Sequence, residues 1–255
     1  MDYTSSEHIN PFDEKNPDFW MKAEHLGRYL YAAHTIKKYK KANSGKTHNH
    51  MDVGCANGYG LKILAKTSGN LTGVDYNKDA LKKAQKTCPD ATLHHLDMDT
   101  TGLTTLKEAP FTSITAFEVL EHLEDPKKTT DELSQLLVKG GLLLASFPNP
   151  TYERLDETGT PENPYHHHAQ SLEESTKMFV DAGFEVKQTL GQPLCNQLFS
   201  RERNLYKNGT ITEKPFSKKE LNSPNGLENL ANLLAWPEEG NLQKSYTFIF
   251  ELIKK

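Results

Sequence analysis

Short apolar runs alternate with amphipathic stretches along this chain, and the alternation predicts most of its secondary structure. After a polar start, Phe19-Trp20-Met21 opens a stretch to about Tyr39. Leu26, Tyr29, Leu30, Ala33 and Ile36 recur on one face of it, the spacing of an amphipathic helix. The polar segment KKANSGKTHNH follows as a linker. Strand-like runs lie at His50–Gly54, Leu71–Asp75, Thr92–His95, Thr112–Phe117 and Leu142–Phe147, with helical patterns near 59–67, 77–87 and 126–138 between them. Strands separated in this way by helices read as right-handed βαβ units around a parallel sheet. A further helix, Leu172–Ala182, stops at Gly183, where a left-handed cap fits, and leads into the strand Phe184–Val186. Tyr246–Ile253 is the last strand. Between Leu190 and Ser245 no long periodic run is evident, and Pro193, Pro215, Pro224 and Pro237 punctuate the segment. An insertion of that size in a compact domain is functional more often than incidental, so a lid or substrate-recognition segment is expected. The expected division is a helical cap at 1–45, a core at 46–190 plus 245–255, and an insertion at 191–244.

Composition narrows the class. At 255 residues the chain suits one α/β domain with an appendage, and 30 Lys+Arg against 34 Asp+Glu leave a net charge of −4. That balance gives no electrostatic reason to expect nucleic acid or an anionic membrane as partner. No apolar run is long enough to span a bilayer, and the first twenty residues lack a basic-then-apolar leader, so a cytoplasmic location is expected. Cys55, Cys88 and Cys195 are odd in number and widely spaced, which supports neither a disulfide framework nor a paired-cysteine metal site.

The chemistry is concentrated at strand ends. His50-Met51-Asp52-Val53-Gly54-Cys55-Ala56-Asn57-Gly58-Tyr59-Gly60 is a strand running into a small-residue loop and then a helix. The small residues let the backbone turn sharply and approach a ligand. Taken alone the loop is shared with dinucleotide-binding and purely structural turns. Asp75, which ends the next strand, stands where a carboxylate accepts hydrogen bonds from ribose hydroxyls. Asp97-Met98-Asp99 closes the third strand, and Phe117-Glu118-Val119-Leu120-Glu121-His122 the fourth. Ligands of open α/β sheets sit outside these carboxyl ends, and a dehydrogenase would need only the first two.

The series DVGCANGYG, GVDYNKDAL, HLDMD, FEVLEHLEDP and LLVKGGLLLASFPNP resembles the class I S-adenosylmethionine-dependent methyltransferases, over roughly residues 20–190. It is most similar to the group containing ubiquinone-type O-methyltransferases and those found with glycan-biosynthesis enzymes. EHLGRYLYAAHTI and NPYHHHAQSLEE resemble flanking segments of the second subgroup. The resemblance implies a Rossmann-like, seven-stranded, mostly parallel sheet with helices on both faces and an antiparallel last strand. It implies S-adenosylmethionine as cofactor. Asp52, Gly54 and the backbone of Cys55, Ala56 and Gly58 would form the segment around its methionine part, with Arg28 or Tyr29 closing over the carboxylate. Asp75 would take the ribose hydroxyls with Tyr76 beside the adenine, Asp97 the adenine amino group, and Met98 the ring. Glu118 would flank the methyl group. Ala56 stands where the family most often has glycine, which a negative φ would tolerate, so a slightly altered loop with retained binding is expected.

An imidazole with a pKa near 6.5 suits removal of a hydroxyl proton, which makes His122 and His166 the candidate catalytic groups. Glu118, Glu121, His122 and His168 are of the types that ligate a divalent cation. A similar E-x-x-E-H serves as a metal site in small-RNA 3′-terminal 2′-O-methyltransferases. This chain lacks the FEW segment expected there and has no basic face, so no metal is expected. Tyr152, Tyr165, Trp20, Trp236 and Tyr206 are candidate pocket aromatics. The implied function is methylation of a small or medium acceptor, most simply at a hydroxyl of a sugar, lipid-linked molecule or secondary metabolite, with a homodimer possible. The rivals are a metal-dependent RNA ribose methyltransferase, a non-catalytic cofactor-binding regulator and, more distantly, a nicotinamide-dependent reductase.

Overall fold

The computed structural model describes residues 10–12, 19–43, 47–67, 69–193, 195–215, 217–240 and 242–255. Residues 1–9, 13–18 and 44–46 of the expected cap and linker lie outside them, as does the side chain of Cys195. Seven strands form one sheet: β1 (Asn49–Val53), β2 (Asn70–Asp75), β3 (Thr92–His95), β4 (Phe111–Phe117), β5 (Leu137–Pro148), β6 (Phe184–Gln192) and β7 (Thr247–Lys254). Their order is β3-β2-β1-β4-β5-β7-β6. The first five pair in parallel, and β7 inserts antiparallel between β5 and β6. Strand order reverses between β1 and β4, so connections leave the two strands in opposite directions and open a crevice at their carboxyl ends.

Side-chain alternation divides the apolar residues between the two faces. Ile114, Leu143, Phe147 and Phe250 belong to one buried cluster with Phe179 of α5 (Leu172–Asp181) and Leu133 of α4 (Pro126–Leu136). Leu144 and Ile249 belong to the other, with Leu61 and Leu64 of α2 (Tyr59–Leu64) and Tyr29 and Ile36 of α1 (Phe19–Ala42). Each such side chain contributes about 1.5–3 kcal/mol when fully buried. Caps fix the helix starts. Asn77 caps α3 (Lys78–Thr87), Asp125 caps α4 ahead of Pro126, and Ser171 with Glu174 forms a capping box on α5.

Three features differ from the sequence reading. Helix α4 stops at Leu136, and β5 begins at Leu137 rather than Leu142, because the backbone turns extended there. Helix α1 is not a simple amphipathic helix: Lys22, Glu24 and Arg28 are buried along with Leu26, Tyr29 and Ile36, while Leu30 and Ala33 are only half-buried. It is covered on two sides, by the sheet and by the segment between β6 and β7. That segment contains α6 (Cys195–Lys207), α7 (Lys218–Leu221) and α8 (Pro224–Leu234). Ser223 caps α8, and Leu227, Leu230 and Ala231 pack on Ala23 and Leu26 of α1. Gln192, fully buried at the end of β6, donates from Nε2 to the carbonyls of Glu24 (2.9 Å) and Ala235 (2.7 Å) and so ties strand, α1 and α8 together. Among the described residues, no helix is long and apolar enough to cross a membrane.

Candidate active site

A cavity of about 390 Å³ opens at the carboxyl ends of β1, β2 and β4, a size typical of small-ligand sites. Gly54, the residue after β1, lines it at φ +70°, and a Cβ there would lie 2.3 Å from Val119 Cγ2. Only glycine meets both conditions. The amides of Gly54 and Cys55 both donate to the Val74 carbonyl, at 2.9 and 3.0 Å, which folds the loop over β2. Ala56 also lines the cavity, and it does so at φ +45°. The expected negative φ is therefore corrected: the alanine is held left-handed, at a cost of about 1–2 kcal/mol. Its amide donates to Asp75 Oδ2 at 2.8 Å, and the Asn77 amide donates to Asp75 Oδ1 at 2.8 Å. Asp75 thus joins the two loops that frame the cavity.

Three residues of the expected cofactor segment lie behind the wall instead of on it. Asp52 is fully buried and accepts from Tyr29 Oη (3.0 Å) and Thr115 Oγ1 (2.6 Å). Burial raises its pKa to about 7, against the pull of those two hydrogen bonds. Strand alternation turns its side chain to the face of the sheet covered by α1, opposite Met51 and Val53, where Tyr29 and Thr115 meet it. Cys55 is buried, and burial followed by the nearby Asp52 carboxyl holds its thiol pKa well up. Gly58, at φ +79°, abuts Ala84 of α3, where a Cβ would come within 2.9 Å. It serves helix packing.

Arg28, Tyr29, Tyr76, Asp97, Met98 and Glu118, expected from the sequence, line the cavity together with Asp75. Arg28 is 2% exposed and donates from Nη1 to Gln192 Oε1 at 2.8 Å. Burial opposes its charge, but Glu118, Tyr59 and Glu24 outweigh burial and raise its pKa. Glu118 stands at φ +51°, an unusual conformation for a non-glycine residue that costs on the order of 1–3 kcal/mol and clusters at functional sites. It is pinned reciprocally: its amide donates to Ser146 Oγ (2.9 Å), and Ser146 Oγ donates to its Oε1 (2.7 Å).

His122 and His166 also line the cavity, their ring centroids 4.9 Å apart. His122 Nδ1 lies 2.8 Å from the Tyr165 carbonyl, which can only accept, so Nδ1 carries a proton. His166 Nδ1 faces Glu153 Oε2 at 3.0 Å, and a carboxylate there selects the same tautomer. The His167 amide donates to the Glu121 carbonyl at 2.8 Å, pinning the histidine loop to the turn after β4. One ligating atom from each of Glu121, His122 and His166 lies within 4.8 Å of the other two. Glu118 and His168 stand outside this cluster, and His168 Nε2 faces the Glu124 carbonyl at 3.3 Å.

Of the candidate aromatics, Tyr152 and Tyr165 line the cavity, whereas Trp236 packs on Tyr31 and His34, Trp20 packs beside α8, and Tyr206 is exposed. The sequence reading missed Glu24, His25, Tyr59, Asn149, Glu153 and Tyr246, all on the wall. A signal for the first two existed: Glu24 and Arg28 are four apart on α1, as are His25 and Tyr29, so a second, polar face was present. Burial and then Arg28 hold the His25 pKa well below 6.5, which keeps it neutral beside Tyr59 Oη at 2.9 Å. None of the described residues of 191–244 lines the cavity.

Residues 51–145 match the family model described as a methyltransferase domain. A probable S-adenosylmethionine-dependent methyltransferase of Mycolicibacterium smegmatis is 28% identical over 164 residues, 64% of this chain and 62% of that protein. A ubiquinone biosynthesis O-methyltransferase of Psychrobacter arcticus is 29% identical over 161 residues, 55% of this chain and 60% of that protein. The match therefore spans less than two thirds of either relative's length. The crystal structure of an S-adenosylmethionine-dependent methyltransferase from Clostridium acetobutylicum superposes with a TM-score of 0.56 at 11% identity, covering 89% of this chain and 92% of that one. That likeness concerns the fold. The family match runs from β1 into β5, and the sheet order places the cavity at the β1/β4 switch, so over this part of its length the chain is similar to the S-adenosylmethionine-dependent methyltransferases and shares their fold.

Proposed function

We propose that this chain methylates a hydroxyl of a small or medium molecule, such as a sugar, a lipid-linked intermediate or a secondary metabolite. The observation that carries the reading is one cavity lined by Asp75, Glu118, His122 and His166 together. The cofactor fits the residues present: the Gly54 cradle admits no Cβ, and buried Arg28 with Glu24 and Glu118 offers charges complementary to a carboxylate and an ammonium. Bound S-adenosylmethionine supplies a methyl group already activated on a sulfonium. In this reading Arg28 takes the carboxylate, Asp75 the ribose hydroxyls, and Asp97, Met98 and Tyr76 the adenine. The protein's contribution is positioning and exclusion of water. His122 and His166, each with Nδ1 engaged, turn to the acceptor and activate its hydroxyl.

The test is release of S-adenosylhomocysteine on incubation with S-adenosylmethionine and a panel of hydroxylated sugars, phenols and polyketides. Acceptor-dependent release with at least one hydroxyl compound is expected. Release with amine acceptors alone would overturn the choice of atom.

A further inference from the structure

We propose that Tyr246 is an acceptor-contacting catalytic residue, whose phenol donates a hydrogen bond to the oxygen that is methylated and so selects hydroxyl over amine acceptors. The inference rests on the hydroxyl methylation proposed above. Topology brings Tyr246 to the cavity. Because β7 runs antiparallel to β5, its start lies at the carboxyl end of β5, where Thr247 pairs with Pro148. Tyr246 immediately precedes that pair. Its amide donates to the Gln192 carbonyl at 2.8 Å, and its carbonyl accepts from the Asn149 amide at 2.9 Å. The buried Asn149 side chain also donates from Nδ2 to the Ser245 carbonyl at 2.7 Å. The backbone is thus held from β5 and β6 at once. The Tyr246 ring meets that of Tyr152 edge-on, centroids 5.9 Å apart, and both rings line the cavity.

The hydroxyls of Tyr29, Tyr39 and Tyr152 are spent on Asp52 and on the carbonyls of Gly140 and Lys244. Tyr246 Oη has no such partner among the described residues. Burial, followed by the carboxylates of Glu118, Glu24 and Glu153 against the pull of Arg28, pushes its pKa from 10 up to about 12. The phenol therefore keeps its proton and serves as a donor, not a base. The same neighbours tie it to both halves of the proposed chemistry: Glu118 and Arg28 stand with the cofactor, and Glu153 faces His166 Nδ1 at 3.0 Å.

An alcohol oxygen carries one hydrogen and two lone pairs. In the proposed reaction the hydrogen passes to an imidazole. One lone pair forms the bond to the methyl carbon as the carbon–sulfur bond breaks and leaves its electron pair on sulfur. A donor on the second lone pair then fixes the oxygen for in-line approach. A neutral amine nitrogen has a single lone pair, which the methyl carbon takes, so the phenol has nothing left to bond. A site built to hydrogen-bond one substrate group discriminates against an analogue that cannot reciprocate.

The experiment compares the parent with Tyr246→Phe on matched acceptors: catechol with 1,2-diaminobenzene, and methyl glucoside with its 6-amino analogue. Methylated products are identified by mass spectrometry. For the hydroxyl compounds kcat/KM is expected to fall about 10-fold, while transfer to the amines is unchanged. The factor should be the same between about pH 6.5 and 9, because the phenol stays protonated throughout. Calorimetric titration with S-adenosylhomocysteine should give the parent's affinity, which shows that the variant is folded and its cofactor site intact. The hydroxyl-to-amine ratio is read within one protein, so a partial loss of folded variant cancels. Equal loss on both acceptor classes, unchanged hydroxyl transfer, or a factor that varies with pH would overturn the role of Tyr246. Products from amines alone, or none at all, with the parent protein would instead remove the hydroxyl-methylation reading, and this inference with it.

Discussion

Asp75→Ala separates two tasks that the structure gives to one carboxylate. Its oxygens accept the amides of Ala56 and Asn77, both at 2.8 Å, in a position only 3% exposed. Hydrogen bonds to a charged acceptor contribute about 1.5–3 kcal/mol each, so losing both costs about 3 kcal/mol even when a little water enters. For a domain of this size that lowers the melting temperature by roughly 6–12 °C. The proposed ribose contacts are lost as well, which weakens S-adenosylhomocysteine by about 1.5–3 kcal/mol, or roughly 10–150-fold. Differential scanning calorimetry without ligand and isothermal titration with S-adenosylhomocysteine read the two effects separately. An unchanged melting temperature would refute the claim that Asp75 holds the two loops together. An unchanged affinity in a folded variant would refute the ribose assignment.

Ala56→Gly relieves about 1 kcal/mol of left-handed strain but loosens the unfolded chain by about 0.4–1 kcal/mol. Melting temperature and S-adenosylhomocysteine affinity should therefore stay close to the parent's, and a large fall in either would mean that the methyl group makes a needed contact. Gln192→Leu strips partners from Arg28 and from the Glu24 and Ala235 carbonyls. Kinetics should show KM for S-adenosylmethionine rising more than kcat falls, with faster proteolysis inside 191–244; an unchanged KM would remove Gln192 from the positioning of Arg28. Acidification should destabilise the fold. Burial lowers the His50 pKa from 6.5 to about 3 and that of His48 to about 4, and His25 is lowered too, so below 6.5 the unfolded chain binds protons that the native one refuses. Asp52, raised from 3.8 to about 7, works the other way, since its native form keeps a proton that the unfolded form loses between those values. Three imidazoles outweigh one carboxyl, and calorimetry from pH 7 to 5 should show a falling melting temperature; a flat or rising one would contradict neutral buried histidines.

The sheet was legible because its central strands are short apolar runs with an acid or a small residue at the end, as at Val53-Gly54, Val74-Asp75 and Phe117-Glu118. The cavity lies at those ends, so much of its wall could be named in advance. Direction was less legible than position. Gly54 and Gly58 both have positive φ, yet one faces the cavity and the other a neighbouring helix. Asp52 sits beside the loop but alternates away from it. Helix α8 was missed because Pro224 and Gly226 look like breakers, although Pro after a Ser cap is a permitted start. Its apolar Leu227, Leu230 and Ala231 make sense only against α1, itself read with one buried face when it has two. The pairing of His166 with Glu153, thirteen residues earlier, depends on a loop closure that spacing does not encode.

The central claim, that this cavity is built for S-adenosylmethionine, is tested most directly by calorimetric titration of the intact chain with S-adenosylhomocysteine, with NADH as control. Saturable binding to one site by S-adenosylhomocysteine and none by NADH is the expected result. No heat with S-adenosylhomocysteine, or equal binding of NADH, would contradict it.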